Sequence, residues 1–121
     1  MVDASLLVGL GAATGALLRH GTASVVASRL GDRDLPYGTA TVNVVGSFVL
    51  GLVTFSGAST SVQFLVGTGA CGAYTTFSSF SVETVRLWES GRPLLAGWYA
   101  VANLAGALAA LGAARAVVTA V

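Results

Sequence analysis

The chain has 121 residues and a net charge of +1, and 55% of its residues are hydrophobic while only 9% are charged. Soluble domains carry roughly 25% charged residues, so this composition excludes an ordinary soluble surface, and a mean hydropathy of +0.81 predicts that most of the surface faces lipid. The near-neutral charge also gives no reason to expect a nucleic-acid partner, and the length allows one domain, residues 1–121. The single cysteine, Cys71, excludes an intrachain disulfide and is interpreted as a packing residue.

The first predicted element is a membrane helix over residues 4–28. A cleaved signal peptide would begin with basic residues, but Asp3 stands there, and Arg19 and His20 follow the apolar stretch. The run is therefore interpreted as a membrane helix that remains in the protein. The connector after it contains Asp32, Arg33 and Asp34.

The middle of the chain, residues 35–82, contains no charged residue. One helical bilayer crossing needs about 20 residues, so this span holds nearly two crossings, separated by the small polar segment 56–61. The prediction is a second helix over 38–55 and a third over 62–88. Pro93 suits the first turn of a fourth helix, predicted over 94–115. The predicted fold is an all-α, multi-pass protein of the cell membrane with both termini on one side.

Polar residues at membrane depth are costly and tend to be functional. On the second helix, Thr39, Asn43 and Ser47 are spaced by four and share one face, and Tyr99 and Asn103 form a similar pair on the fourth. In the third helix, residues 75–81 (Thr-Thr-Phe-Ser-Ser-Phe-Ser) are hydroxyl-rich and compete with helix bonding. We therefore expect a break in this helix, because broken membrane helices expose carbonyls that bind ions.

These side chains indicate the class of ligand. Amides, hydroxyls and the positive edges of phenylalanine rings are neutral donors, and they suit an anion better than a cation. Two interpretations of Arg19 remain open: it draws an anion inward, or it extends to the membrane interface. An enzyme is not expected, because His20 has no Asp or Cys partner nearby and no metal-ligand spacing exists.

Gly67, Gly69 and Gly72 have the spacing of a dinucleotide-binding loop. That motif needs a preceding strand and a later acidic residue in a soluble βαβ unit. An uncharged membrane segment surrounds the glycines instead, so nucleotide binding is not predicted.

The sequence resembles the Fluc (CrcB) fluoride channel family over essentially its whole length. The matching residues stand in family order, and the long polar run is the most specific of them: residues 15–19, 36–39, 42–43, 46–48, 69–72, 75–81 and Tyr99. The resemblance implies a passive fluoride channel that relieves fluoride toxicity, built from two antiparallel protomers with two pores. It also implies a structural Na⁺ on the dimer axis, held by the backbone carbonyls of Gly72 and Thr75.

The resemblance assigns further roles within the pore. Phe77 and Phe80 would offer ring edges to fluoride, Asn43 would donate to it, and Arg19 would lie at the aqueous vestibule. The polar track would be extended by Ser78, Ser79, Tyr99 and Asn103.

Three residues differ from those usual in the family, and Glu83 has two interpretations. Ser79 stands where Thr is common in the family, Asn103 stands where Ser is common, and Tyr74 is bulkier than the usual residue beside the sodium position. Glu83 occupies an acidic position of the family, and the alternative is a charge near the membrane surface.

Two other classes of protein fit the sequence less well. A proton-coupled exporter of the small multidrug resistance type has a similar length and helix count, but it needs a membrane carboxylate in its first helix, where this chain has Arg19. A purely structural subunit would leave the polar stripes unexplained.

The arginines carry a prediction about orientation. One side holds Arg29, Arg33, Arg86 and Arg92, whereas the side of the termini holds Arg115, if the deep Arg19 is left aside. The positive-inside rule then places both termini outside. Two pairings stay open: a homodimer, or a heterodimer with an oppositely oriented paralogue.

Overall fold

The computed structural model describes residues 2–31 and 34–121, and these residues contain helices and turns but no strand. Asp32 and Arg33 of the first connector lie outside the described residues. The helices run as follows: α1 Ala4–Leu30, α2 Tyr37–Phe55, α3 Thr60–Val62, a π-helical segment Gln63–Cys71, α4 Gly72–Tyr74, α5 Phe77–Glu89 and α6 Pro93–Ala120. The all-α class predicted from the sequence is therefore confirmed.

Local sequence signals explain where the two longest helices begin and end. The Asp3 carboxylate accepts a hydrogen bond from the Ser5 N–H and caps α1. At the other end Gly31 adopts φ 64°, a conformation that glycine reaches without penalty, and its N–H bonds the Ala27 carbonyl. Pro93 occupies the first turn of α6, where its missing N–H costs nothing.

Close backbone contact joins α1 to the π-helical segment. A Cβ added at Gly11 would overlap the Leu65 carbonyl oxygen, and one at Gly15 would overlap the Ala70 carbonyl oxygen. Both glycines are buried. Small residues allow membrane helices to approach in this way, so these two positions set the spacing between α1 and the π-helical segment.

Contacts at the two ends of the bundle show how the connectors are grouped. Arg92 Nη1 lies 2.8 Å from Asp34 Oδ1, which brings the α1–α2 and α5–α6 connectors together. The Arg115 guanidinium lies 5.9 Å from the centre of the Phe55 ring, where α2 and α6 meet at the opposite end. The first and third connectors therefore share one end of the bundle.

The outer surface of the protomer is apolar. Large hydrophobic side chains are exposed along the helices, including Leu94 at 76% and Trp98 at 65%. By length and composition, α2 and α6 are the two described helices that could each cross a membrane. The four crossings predicted from the sequence stay a prediction. Helix α1 carries Arg19 and His20, and the segment predicted as the third helix, residues 62–88, is divided into shorter helices.

The crossing of α1 predicts a large difference between two identical substitutions. Gly11→Ala should lower the thermal stability of the purified protein, because overpacking typically costs about 1–3 kcal/mol. Gly9→Ala on the same helix is the matched control, since an added Cβ there meets nothing within 4 Å. Size-exclusion chromatography after heating measures the fraction that remains monodisperse. Equal stability of the two variants would contradict the close crossing.

Candidate functional site

The backbone is extended between α4 and α5. Thr75 has φ −79° and ψ 161°, and Thr76 has φ −150° and ψ 119°. Here the Asn43 side chain of α2 pairs with Thr76: Asn43 Oδ1 accepts from the Thr76 N–H at 2.8 Å, and Asn43 Nδ2 donates to the Thr76 carbonyl at 3.1 Å. One side chain thus satisfies both the N–H and the carbonyl of Thr76, as buried extended backbone requires.

The same asparagine joins α2 to α6. Asn43 Nδ2 also donates to Asn103 Oδ1 at 3.1 Å, so both of its N–H hydrogens have protein acceptors. The two amides border a cavity of about 270 Å³ whose lining also includes Ser47, Phe77 and Phe80. The structure therefore brings four of the residues predicted for the pore (the two asparagines and the two phenylalanines) to one place.

Three aromatic rings form a row beside this cavity. The Phe77 and Phe80 ring centres lie 5.7 Å apart, and the Phe80 and Tyr99 centres also lie 5.7 Å apart. The rings are tilted by 51° and 36°, so neither pair is a parallel stack. Phe77 is 79% exposed in the protomer, whereas Tyr99 is buried. The row therefore runs from the interior of the bundle to its surface.

A carboxylate lies among these residues. Glu83 Oε1 accepts from the Thr39 hydroxyl at 2.9 Å, and Glu83 Oε2 accepts from the Tyr99 hydroxyl at 2.7 Å. Glu83 is only half-buried, but both of its oxygens are held by groups of α2 and α6. Glu83 was not among the pore residues predicted from the sequence. Its spacing of three from Phe80, which places the two side chains near one face of α5, was the signal that could have indicated it.

Arg19 borders a second cavity, of about 340 Å³, whose lining includes His20, Thr39, Ser79 and Glu83. Its Nη1 donates to the Thr75 carbonyl at 3.4 Å. The guanidinium therefore reaches into the bundle toward the break, the extended residues Thr75 and Thr76 between α4 and α5. The positive charge of Arg19 and the negative charge of Glu83 thus border the same space.

The serines after the break lie close to Thr76. The Ser79 N–H donates to Thr76 Oγ1 at 3.2 Å, which caps α5. Ser78 is exposed, and its hydroxyl lies 3.3 Å from the Thr76 hydroxyl. Ser79 borders the Arg19 cavity, and Ser78 borders neither of the two cavities above.

The carbonyls expected to hold Na⁺ belong to Gly72, the first residue of the three-residue helix α4, and to Thr75, which directly follows it. Gly72 is exposed, with nothing within 4 Å of a Cβ built on it. Carbonyl oxygens at a helix C-terminus carry partial negative charge and lack intrahelical partners, so their chemistry fits a hard cation. The Thr75 carbonyl already accepts from the Arg19 guanidinium, a cation that would compete with Na⁺ there. Tyr74, the bulky neighbour, is turned toward α1, where its hydroxyl lies 3.0 Å from the Thr22 hydroxyl.

Comparison with known proteins identifies the family. Residues 6–115 match the family described as CrcB-like protein, Camphor Resistance (CrcB). The chain belongs to the CrcB family. It is 52% identical to "Fluoride-specific ion channel FluC 2" of Haloarcula marismortui over 117 residues, which cover 97% of this chain and 95% of the relative.

Other CrcB relatives show similar identity. "Fluoride-specific ion channel FluC 1" of Halobacterium salinarum is 47% identical over 85% of this chain and 83% of its own length. The protein of the same name from Streptomyces avermitilis is 49% identical over 90% of this chain and 88% of its own. These relatives are named as ion channels, a class distinct from enzymes.

The hydrogen bonds of Glu83 predict an energetic coupling between Glu83 and Tyr99. In a double-mutant cycle of Tyr99→Phe and Glu83→Gln, the losses in free energy of unfolding should not add, because both variants act on the same hydrogen bond: Tyr99→Phe removes its donor and Glu83→Gln removes the charge of its acceptor. A hydrogen bond to a charged group is worth about 1.5–3 kcal/mol. Denaturation of the purified protein in sodium dodecyl sulfate measures the four free energies. Tyr37→Phe, at an exposed tyrosine, is the control. Additive losses would argue against the pairing.

Proposed function

We propose that this chain is a fluoride-selective channel through which the ion passes passively across the cell membrane. The observation that carries the proposal is the cavity bordered by Asn43, Asn103, Phe77 and Phe80, where polar amide groups and aromatic ring edges face a small anion together. The names of the relatives give the same ion. Export down the electrochemical gradient would relieve the toxicity of fluoride trapped in the cell after entry as the neutral acid.

Selectivity would come from spacing. Fluoride is small and strongly hydrated, so a narrow pore must replace its water with donors set close together. Thr76 holds the Asn43–Asn103 pair through its bond to Asn43, and Tyr99 packs against the ring of Phe80. Larger anions such as chloride would not fit the same spacing. Arg19 would concentrate the anion at the vestibule, and Ser78, Ser79 and Tyr99 would continue the polar track.

The pore requires a second protomer in this proposal. Phe77 is 79% exposed on the surface of a single protomer, although it belongs to the aromatic row beside the cavity. A second protomer packed antiparallel, either another copy or an oppositely oriented paralogue, would cover the Phe77 side chain and complete two pores. Such a dimer is the assembly we infer.

Sodium would hold this dimer together. The carbonyls of Gly72 and Thr75 would bind it, with the matching carbonyls of the second copy, and the ion would supply a fixed positive charge at the interface. Its role would be structural, with no part in moving fluoride.

The proposal is tested by fluoride efflux from liposomes that contain this protein alone, read with a fluoride electrode. Phe80→Ile removes a ring edge and Asn43→Ala removes the support of Thr76, so each should slow efflux by about 100-fold or more. Phe55→Ile is the matched control, because Phe55 lies at the far end of α2 beside Arg115. Wild-type efflux should be rapid and should exclude chloride.

The same assay separates the two pairings. Efflux from the lone protein indicates a homodimer. If the lone protein gives no efflux and an oppositely oriented paralogue restores it, the channel is a heterodimer. The latter is favoured by the unequal arginine distribution, in which Arg29, Arg86 and Arg92 accompany Arg33 on one side. Silence in both arrangements would reject the channel.

A second prediction concerns sodium. Replacing Na⁺ with N-methylglucaminium should lower the denaturation temperature of the purified dimer, because a bound ion stabilises the native state by about 2.7 kcal/mol at about 100 times its dissociation constant. Light scattering on the detergent complex, performed alongside, reports whether the dimer persists. An unchanged denaturation temperature would remove Na⁺ from the proposal.

A further inference from the structure

His20 is an ionisable side chain of α1 that the proposed channel has not yet used. It is exposed in the protomer, and it makes no hydrogen bond, ion pair or ring contact with any residue that the structure describes. A protonated imidazole carries one positive charge and a donor on each ring nitrogen. His20 is therefore available to act on an ion that enters the space beside it.

That space is the Arg19 cavity, of about 340 Å³, which His20 borders together with Arg19. Helix α2 contributes Thr39 to the lining, and α5 contributes Ser79 and Glu83. The single histidine of the chain thus lies where the proposed channel takes up its anion.

A neighbouring cavity leads from the Arg19 cavity to one end of the bundle. It has a volume of about 260 Å³ and extends to the α1–α2 connector at Leu35. Four lining residues are common to the two cavities: Ala23, Gly38, Thr39 and Glu83. This end of the bundle is the one with more arginines, so it faces the cytoplasm in the orientation that the positive-inside rule predicts.

The charges that face His20 cancel while its imidazole is neutral. Arg19 of α1 is positive and Glu83 of α5 is negative. Helix α2 has no charged residue, and its titratable group here is the phenol of Tyr37 at the neighbouring cavity. Helix α6 acts through the Tyr99 hydroxyl, which donates to Glu83. A proton on His20 therefore changes the summed charge from about zero to one positive charge.

We propose that protonated His20 is a further anion-attracting residue of the fluoride path, so that fluoride enters the channel faster at acidic pH than at alkaline pH. This inference rests on the proposed fluoride channel and deepens it, because it names a regulation of the same site. Histidine is the side chain that ordinarily changes charge between about pH 5 and pH 8. A cavity lined by one sign of charge raises the local concentration of the opposite ion.

The direction of this pH dependence suits a fluoride exporter. Each molecule of the neutral acid that enters the cell dissociates into one proton and one fluoride ion, so the cytoplasm acidifies as fluoride accumulates. A proton taken up by His20 then concentrates fluoride at the Arg19 cavity. The fluoride load thereby speeds its own export.

The test measures fluoride efflux from liposomes between about pH 5 and pH 8, at a fluoride concentration well below half-saturation. Both sides of the membrane are held at the same pH, and protein-free liposomes report the leak of the neutral acid. Wild-type efflux should be about threefold faster at the acidic end, which is the enrichment that one unit charge gives a monovalent anion about 7 Å away in water.

Two substitutions fix the charge at this position. His20→Gln stays neutral and should give the slow rate at every pH, whereas His20→Lys stays charged and should give the fast rate at every pH. The matched control is His20→Gln combined with Gly21→His. Gly21 is exposed and borders neither cavity, so a histidine there should not restore the pH dependence.

Ionic strength distinguishes a charge effect from a structural one. Salt screens charges that are in contact with water, so an impermeant salt at constant Na⁺ concentration should reduce the ratio of acidic to alkaline efflux in the wild type. The efflux of His20→Gln should not change. A merely structural role of His20 would leave the ratio insensitive to salt.

Three outcomes would overturn the inference. The first is wild-type efflux that does not change with pH. The second is His20→Gln with the pH dependence of the wild type, which would assign the titration to Glu83, and the third is a pH dependence restored by Gly21→His. Each leaves the channel itself standing, whereas a wild type that is silent at every pH, alone and with a paralogue, rejects the proposed function.

Discussion

The site depends on the two hydrogen bonds between the Asn43 side chain and the Thr76 backbone. An extended residue inside a membrane bundle exposes an N–H and a carbonyl that water cannot satisfy, and Asn43 meets both, at 2.8 and 3.1 Å. Because the helix can end at Tyr74 and begin again at Phe77, the two phenylalanines of α5 are set beside the asparagines of α2 and α6. Without that pairing the extended segment would be too costly to keep.

A second constraint acts on the other side of the break. Gly11 and Gly15 let α1 approach the backbone of the π-helical segment, and this closeness carries Arg19 to the Thr75 carbonyl, 3.4 Å away. A side chain at either glycine would separate the helices and withdraw the guanidinium from the break. The small residues of α1 therefore position a charge as well as pack a helix.

Much of this could be predicted from residue patterns, and the rest could not. The spacing of Thr39, Asn43 and Ser47 places them on one face, and the hydroxyl-rich run after Tyr74 predicts poor helical order, because both are properties of a single segment. The partners of these groups lie on other helices. Glu83 accepts hydrogen bonds from the hydroxyls of Thr39 and Tyr99, and Asn43 donates to Thr76 and Asn103. These pairings depend on how the helices pack against one another, and the spacing of residues along one helix does not predict them.

The charges around the site limit how an anion could be favoured. Arg19 and Glu83 border the same cavity with opposite signs, so Arg19 would attract an anion only locally, and the summed charge of the cavity gives little preference for either sign of ion. Glu83 is also directed toward the hydroxyls of Thr39 and Tyr99, which occupy both of its oxygens. In the proposed channel, preference for an anion would then come from local dipoles: the edges of Phe77 and Phe80 and the amides that border the same cavity. Such dipoles fall off steeply with distance, so they discriminate by ion size as well as by sign, and a small anion gains most from them.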